Sequence, residues 1–225
     1  MNAAPSPLPI VVLISGRGSN LQSIIDAVAG DKLAVDIRAV ISNRPNADGL
    51  QRATQAGIHT EVIDHSHYPD RAAFDQALLD CIERFQPGLV VLAGFMRILT
   101  AGFVNHYRGR MLNIHPSLLP AFPGMDTHRR ALEAGCKQHG ASIHFVTEAV
   151  DGGPVVLQAQ VPVQQQDTVT TLAARVLEQE HRLYPLAIRW FAEKRLQLDN
   201  DGQATLDGNT LTAPVLLTQD SETPC

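Results

Sequence analysis

Two polar side chains near the middle of the chain have the spacing that acyl-transfer chemistry needs. Asn113 and His115 are two residues apart in a short apolar run that Pro116 ends, so a strand would project both from one face. An amide can donate a hydrogen bond to a developing oxyanion, and an imidazole can move protons near neutral pH. The alternative is a buried Asn–His pair satisfied only by loop backbone, and these two residues alone leave both interpretations open.

A carboxylate follows on a glycine-rich turn, in the sequence Asp151-Gly152-Gly153-Pro154. Beside a histidine, this carboxylate would orient the imidazole ring and raise its pKa. The same four residues are also an ordinary turn sequence, so their meaning depends on what lies near them. His144, which shares a predicted strand face with Ser142, is a rival base, and we favour a supporting role for it.

Residues 15–20 have the composition of an anion-binding loop, with an apolar run before them and a helical pattern after them. Backbone N–H groups at the start of such a helix, together with the helix dipole, attract phosphate. Gly16-x-Gly18 lacks the third glycine of the dinucleotide fingerprint, and no Walker lysine follows. The alternative is a tight turn in which Ser19 or Asn20 is an ordinary helix cap.

One carboxylate falls on or beside the apolar stripe of the last long helix. Glu180 lies three and four residues beyond Leu177 and Val176, which belong to that stripe. Because an unpaired buried charge is costly, Glu180 must be paired, face a ligand, or lie at the edge of the stripe and reach solvent.

The elements that position these residues alternate between strands and helices along the first half of the chain. This alternation predicts an α/β fold, a Rossmann-like doubly wound and mostly parallel sheet flanked by helices. The sheet should become mixed after residue 140, where two strands follow without a long helix between them. We predict strands at 10–14, 35–41, 59–63, 89–93, 111–115, 141–146 and 155–163, and helices at 21–29, 47–56 and 71–85.

The chain is expected to form one domain over residues 10–211. Residues 1–9 are predicted to be an irregular lead-in, and residues 212–225 a flexible tail. Asp167 is the expected cap of a last helix that runs to about Ala192 and bends at Pro185. Residues 195–211 contain Asp-Gly twice, which predicts a short β-hairpin.

Composition excludes several classes of partner. The chain has 225 residues and a formal net charge of −5, which argues against a broadly basic nucleic-acid surface. No apolar stretch approaches the ~18 residues that a membrane-spanning helix needs. Cys81, Cys136 and Cys225 are odd in number and far apart, which predicts reduced thiols in a cytoplasmic protein and neither a disulfide framework nor a metal site.

Taken in order, these segments resemble the glycinamide ribonucleotide formyltransferase family of folate-dependent enzymes. The resemblance covers about residues 10–198 and includes the formyltransferase fold. It is carried by residues 15–21, 92–99, 113–120, 144–146, 151–154 and 179–181.

The resemblance implies transfer of the formyl group of 10-formyltetrahydrofolate to the amine of 5-phosphoribosyl-glycinamide, a step of de novo purine biosynthesis that needs no metal. It implies that Asn113, His115 and Asp151 are the catalytic residues. Asn113 and a protonated His115 would stabilise charge on the formyl oxygen, while Asp151 keeps His115 charged and helps to relay the amine proton. The expected partners are small-molecule substrates only, and the expected state is a monomer or homodimer.

The resemblance also implies the binding residues. Gly18, Ser19 and Asn20 would hold the substrate phosphate, and Glu180 the ribose hydroxyls. The folate site would consist of Arg71, Met96, Arg97, Ile98, Leu99, Asn113, Thr147, Glu148, Ala149, Val150 and Asp151. A formyltetrahydrofolate hydrolase and a sibling formyltransferase acting on a sugar-nucleotide amine are the alternative functions.

Overall fold

Apolar runs rich in β-branched residues form the strands of the main sheet because both faces of that sheet are covered. The structure, a computed structural model, describes residues 6–217. The strands are β1 (Leu8–Ile14), β2 (Val35–Ser42), β3 (Thr60–Val62), β4 (Leu89–Leu92), β5 (Met111–His115), β6 (Gln138–Phe145), β7 (Val155–Pro162), β8 (Leu196–Leu198), β9 (Ala204–Leu206), β10 (Asn209–Thr210) and β11 (Val215–Leu216). The helices are α1 (Ser19–Ala29), α2 (Asp48–Gln55), α3 (Arg71–Glu83), α4 (Ala101–His106), α5 (Thr127–Glu133) and α6 (Val169–Ala192).

The main sheet has eight strands in the order β11-β7-β6-β5-β4-β1-β2-β3, and β8 to β10 form a separate small sheet. In that order, the five adjacent strands β5, β4, β1, β2 and β3 pair in parallel. Strand β6 is antiparallel to both β5 and β7. The predicted change from a parallel to a mixed sheet is therefore confirmed.

Two apolar layers cover the two faces of this sheet. Ile10, Val12 and Ile14 of β1 contribute to the layer that also contains apolar residues of α1 and α6. The intervening Val11 and Leu13 contribute to the other layer, with residues of α3 and α4. The alternation follows from the two-residue period of a strand. These layers hold the strand ends, and thus the loops that follow them, in fixed positions.

Several boundaries differ from those predicted. Strand β1 begins at Leu8, inside the predicted lead-in, and β11 adds an edge strand beside β7 within the predicted tail. The folded domain therefore extends past residue 211, and the rest of the predicted tail, residues 218–225, lies outside the described residues. Residues 195–211 form three short strands where a hairpin was expected.

The start of α6 also corrects a prediction. Its cap is Thr168, whose hydroxyl accepts the Thr171 N–H in a capping box, whereas Asp167 was expected to be the cap. Asp167 instead forms a two-point ion pair with Arg175, at 2.7 and 2.8 Å. The helix then continues through Pro185 to Ala192. Within residues 6–217, none of the helices has the length and apolar character needed to cross a membrane.

Candidate active site

The antiparallel pairing of β5 with β6 brings the polar residues of the two strands together. Asn113 lies opposite His144, and His115 lies opposite Ser142. Opposite residues of paired strands project from the same face of a sheet, so these side chains share one face. Leu112 and Ile114 belong to the apolar layer on the other face. The predicted projection of Asn113 and His115 from one face is therefore confirmed.

His144 fixes the orientation of the Asn113 amide. Its Nδ1 lies 2.8 Å from the carbonyl oxygen of Phe145, which can only accept, so Nδ1 carries the proton. Nε2 then accepts a hydrogen bond from Asn113 Nδ2 at 3.0 Å. His144 is buried, so this arrangement is shielded from water. One N–H of Asn113 is thereby occupied, and the second is available for a substrate.

Asp151 links this pair to His115. Its Oδ2 lies 3.3 Å from His115 Nδ1 and accepts the Gly124 N–H at 2.8 Å, while Oδ1 lies 3.7 Å from His144 Nε2. Burial would raise the pKa of Asp151, but the contacts with His144, the Gly124 N–H and His115 outweigh burial and hold it below its usual value. Asp151 is therefore an anion at neutral pH.

Burial and the Asp151 carboxylate act on the pKa of His115 in opposite directions. Burial lowers the pKa of His115, and this effect exceeds the opposing effects of its bond to Phe122 and of the Asp151 carboxylate. The Asp151 carboxylate acts in the expected direction, because it raises the pKa of His115, but burial outweighs it. A charged His115 therefore stays a prediction. His115 Nε2–H donates to the carbonyl oxygen of Phe122 at 2.9 Å, so Nδ1 is the ring nitrogen that faces Asp151.

A further pair of histidines lies close to His115. His128 Nδ1 and His139 Nε2 are 3.1 Å apart, and their rings are nearly perpendicular. Burial and the neighbouring His128 lower the pKa of His139 to about 4. Burial therefore disfavours the charged form of both rings.

The loop between β1 and α1 leads into the helix without a side-chain cap from the described residues. The cap of α1 is Gly18, in the left-handed region at φ 71°, and within residues 6–217 no side chain caps the helix. The alternative in which Ser19 or Asn20 is an ordinary cap is therefore wrong. A Cβ at Gly18 would lie 2.6 Å from the Cα of Gly49, so the close approach of the two loops requires glycine there.

Asn20 instead contacts Glu180 across the interface of α1 and α6. Its Nδ2 donates to Glu180 Oε2 at 2.7 Å, and the side chain of Glu180 is buried, with 7% of the residue exposed. Burial raises the pKa of Glu180, and the bond from Asn20 partly offsets this. The alternative in which Glu180 reaches solvent is therefore wrong. One turn along α6, the Tyr184 hydroxyl lies 2.9 Å from the carbonyl oxygens of both Leu92 and Leu112.

The residues predicted to bind folate lie towards the face covered by α3 and α4. Residues 96–99 run between β4 and α4 without regular structure, and Met96 and Ile98 are 62% and 56% exposed. The Arg97 guanidinium lies over the ring of Phe74 on α3, 5.5 Å from its centre. Glu148, in the loop after β6, accepts a hydrogen bond from Asn105 of α4 at 2.8 Å. Arg71 is the first residue of α3 and is exposed.

Sequence reasoning did not identify the backbone groups that contact His115 and Asp151. The carbonyl oxygen of Phe122 and the N–H of Gly124 belong to a loop in which both residues have positive φ. The dipeptide Pro123-Gly124 indicates a turn but not which groups the turn aims at the site. Within residues 6–217, no group of three or more His, Cys, Asp or Glu residues is arranged to hold a metal ion.

Comparison with known proteins identifies the family of the chain. The formyl transferase family matches residues 8–188, which include all three residues of the predicted catalytic trio. The chain therefore belongs to the formyl transferase family.

Comparison with individual relatives places the chain in a narrower group within that family. The chain is 55% identical to the phosphoribosylglycinamide formyltransferase of Escherichia coli K12, over 90% of this chain and 95% of that one. It is 48% identical to the Haemophilus influenzae protein of the same name, with the same coverage. The solved phosphoribosylglycinamide formyltransferase of Coxiella burnetii superposes with a TM-score of 0.90 at 51% identity, over 94% of this chain and all of that one. Within the family, the chain belongs with the phosphoribosylglycinamide formyltransferases, which confirms the resemblance and the fold class predicted from the sequence.

Proposed function

We propose that this chain transfers the formyl group of 10-formyltetrahydrofolate to the amine of 5-phosphoribosyl-glycinamide. The products are formylglycinamide ribonucleotide and tetrahydrofolate, and the step belongs to de novo purine biosynthesis. Membership of the family and the shared name of relatives at 55% and 48% identity support this activity. The single observation that carries the chemistry is the contact of the Asp151 carboxylate with His115 Nδ1, beside the Asn113 amide.

Gly18, Ser19 and Asn20 are proposed to bind the substrate phosphate. Their support is a helix that begins without a side-chain cap, which leaves N–H groups and the positive end of the dipole for an anion. Glu180 is proposed to accept hydrogen bonds from the ribose hydroxyls. A carboxylate buried with Asn20 as its hydrogen-bond donor would gain further donors when those hydroxyls bind, which would offset its burial.

The formyl donor is proposed to bind on the face covered by α3 and α4. The exposed apolar side chains of Met96, Ile98 and Val150 offer a surface for the pterin ring. Arg71 and Arg97 supply positive charge for the folate carboxylates. The remaining proposed contacts, which come from the resemblance, are Leu99, Asn113, Thr147, Glu148, Ala149 and Asp151.

His115 and Asp151 are proposed to hold the proton that the attacking amine loses. When the new N–C bond forms and the bond from the formyl carbon to the folate nitrogen breaks, one proton must pass from the amine to that nitrogen. A proton on His115 Nδ1 would lie between the ring and the ionised Asp151, 3.3 Å apart, where both partners stabilise it. The lowered pKa of His115 suits this role, because a base must begin unprotonated.

Asn113 is proposed to stabilise the charge that builds on the formyl oxygen. The bond to His144 holds the amide in one orientation before the substrate arrives, so no reorganisation is needed during the reaction. In the structure, His115 Nε2–H donates to the Phe122 carbonyl oxygen. To donate a second hydrogen bond to the formyl oxygen, it would have to give up that bond.

A spectrophotometric assay of the purified protein tests the proposal. Tetrahydrofolate should form only when 10-formyltetrahydrofolate and 5-phosphoribosyl-glycinamide are both present. Formation at the same rate without the amine would identify a hydrolase, and preference for a sugar-nucleotide amine would identify a sibling transferase. Action in the cytoplasm and a monomeric or homodimeric state stay predictions, which cell fractionation and sedimentation would check.

A further inference from the structure

Two buried side chains hold the backbone of residues 96–99 at its two ends. At one end, the Met96 N–H donates to Ser15 Oγ at 2.7 Å. At the other end, the Thr100 N–H donates to Asp75 Oδ2 at 2.5 Å. Ser15 and Asp75 are 4% and 3% exposed, so water does not compete for these bonds. Neither residue carries a role in the proposed activity.

The Ser15 hydroxyl is fixed in its direction. It donates to Asn43 Oδ1 at 2.5 Å, so its lone pairs face the Met96 N–H. Asn43 is itself buried, and its carbonyl oxygen accepts from His65 Nδ1–H at 2.8 Å. Ser15, Asn43 and Met96 follow β1, β2 and β4, which are neighbours in the sheet. The hydroxyl therefore joins three strand ends at the edge where ligands bind in such sheets.

Between the two bonds, Met96 and Ile98 expose their side chains, whereas Arg97 is half-buried and Leu99 is buried in the apolar layer. Met96 and Ile98 are more than half exposed, and the residues from 95 to 100 have no regular secondary structure. Side-chain packing therefore contributes little to fixing the backbone at Met96 and Ile98. The hydrogen bonds at the two ends of the segment contribute more to fixing it there. Asp75 Oδ1 is buried and has no hydrogen-bond partner in the described part of the chain. Burial of this oxygen therefore costs free energy.

We propose that Ser15 and Asp75 are positioning residues that hold residues 96–99 in the shape that binds the formyl donor. This inference rests on the proposed function, because it takes the donor to bind at that segment. Ser15 also begins the loop proposed to bind phosphate, so one side chain places the donor segment relative to the site of the acceptor. Neither residue needs to touch a reacting atom.

Steady-state kinetics of variants at these two positions test the inference. Ser15→Ala and Asp75→Ala should each raise the KM for the formyl donor about tenfold, because each leaves a backbone N–H without its partner. The KM for the acceptor amine and kcat should each change less than about twofold to threefold. Asp75→Asn should restore most of the donor affinity, because an amide oxygen can still accept the Thr100 N–H.

Ser42→Ala is the matched control. Ser42 is buried at the end of the neighbouring strand β2, but in the part of the chain that the structure describes its hydroxyl bonds only to the backbone of Arg44. Its loss should leave both KM values unchanged. Equilibrium binding of tetrahydrofolate, followed by calorimetry, should weaken in Ser15→Ala and Asp75→Ala by the same factor as the donor KM rises.

Three results would overturn the inference while the wild-type protein still transfers the formyl group. One is an unchanged donor KM in Ser15→Ala, and another is an equal rise in both KM values. The third is a failure of Asp75→Asn to recover donor affinity relative to Asp75→Ala. If Ser15→Ala does not fold, the comparison of the two Asp75 variants decides. A wild-type protein without transfer activity would instead refute the proposed function.

Discussion

Replacing Asp151 by asparagine removes the charge beside His115 while it preserves the size of the side chain. The amide oxygen can still accept the Gly124 N–H, which is 2.8 Å from Oδ2 in the structure, so the loop around the site should keep its shape. What is lost is the partner that stabilises a proton on His115 Nδ1. If this pair holds the proton of the attacking amine, Asp151→Asn should bind both substrates normally and turn over slowly.

The size of the effect follows from the distance between the two groups. Two unit charges 3.3 Å apart attract by about 5 kcal/mol at an effective dielectric constant of ~20. A neutral amide recovers roughly 1–2 kcal/mol of this through a hydrogen bond. About 3 kcal/mol of stabilisation is then lost, and since each 1.36 kcal/mol is a factor of ten in rate, kcat should fall at least about a hundredfold.

Steady-state rates of tetrahydrofolate formation across pH would measure this loss. In the wild type, kcat/KM should fall towards acid pH with a midpoint below the ordinary pKa of histidine, because burial lowers the pKa of His115 and the neutral base is lost only at more acid pH. Asp207→Asn, which removes a carboxylate paired with Arg195 in the small sheet, is the control and should keep normal turnover. A kcat within threefold of wild type in Asp151→Asn, with both KM values unchanged, would refute the proton-holding role.

Three further predictions concern binding and stability. Glu180→Gln should raise the KM for the acceptor amine about tenfold, and an unchanged KM would contradict the ribose role. Stability should not fall, because the substitution removes a buried carboxylate. Gly18→Ala should lower the free energy of unfolding in urea by about 2 kcal/mol or more, because its Cβ would meet Gly49 at 2.6 Å with φ positive; equal stability would contradict this. His139 alone should lower the free energy of unfolding by about 2.6 kcal/mol between pH 6.5 and pH 4, because its pKa of about 4 means that it binds a proton less readily when folded than when unfolded. His139→Gln should flatten that dependence and exposed His67→Gln should not.

The sequence predicted most of the fold because its strands are buried on both faces. Continuous apolar runs such as residues 89–92 are typical of a strand covered on both sides, and the predicted strand at 111–115 is confirmed without a shift. Helices α4 and α5 were missed because six and seven residues are too few for a periodic pattern. Strand β11 was missed because two residues acquire their structure only by pairing with β7.

The site was predictable where side-chain type and spacing determine geometry. The common face of Asn113 and His115 follows from the two-residue period of β5. The direction of the shift in the pKa of His115 was not predictable, because the effect of burial depends on how closely the surrounding loop covers the ring. The hydrogen bonds of Ser15 and Asp75 were missed for a related reason. Each joins residues that are distant in sequence, and neither serine nor aspartate at those positions breaks a local pattern.

The bond between Asn20 and Glu180 has a consequence for how the protein is made. It connects residues 160 positions apart, on the first and last of the six helices in the described part of the chain. During synthesis, the ribosome would have completed Asn113, His115 and Asp151 well before α6 emerges. A nascent chain at that stage would contain the proposed catalytic residues but not Glu180, which is proposed to accept hydrogen bonds from the ribose hydroxyls. Retention of the growing chain by immobilised ribose phosphate should therefore begin only when translation has passed the last helix.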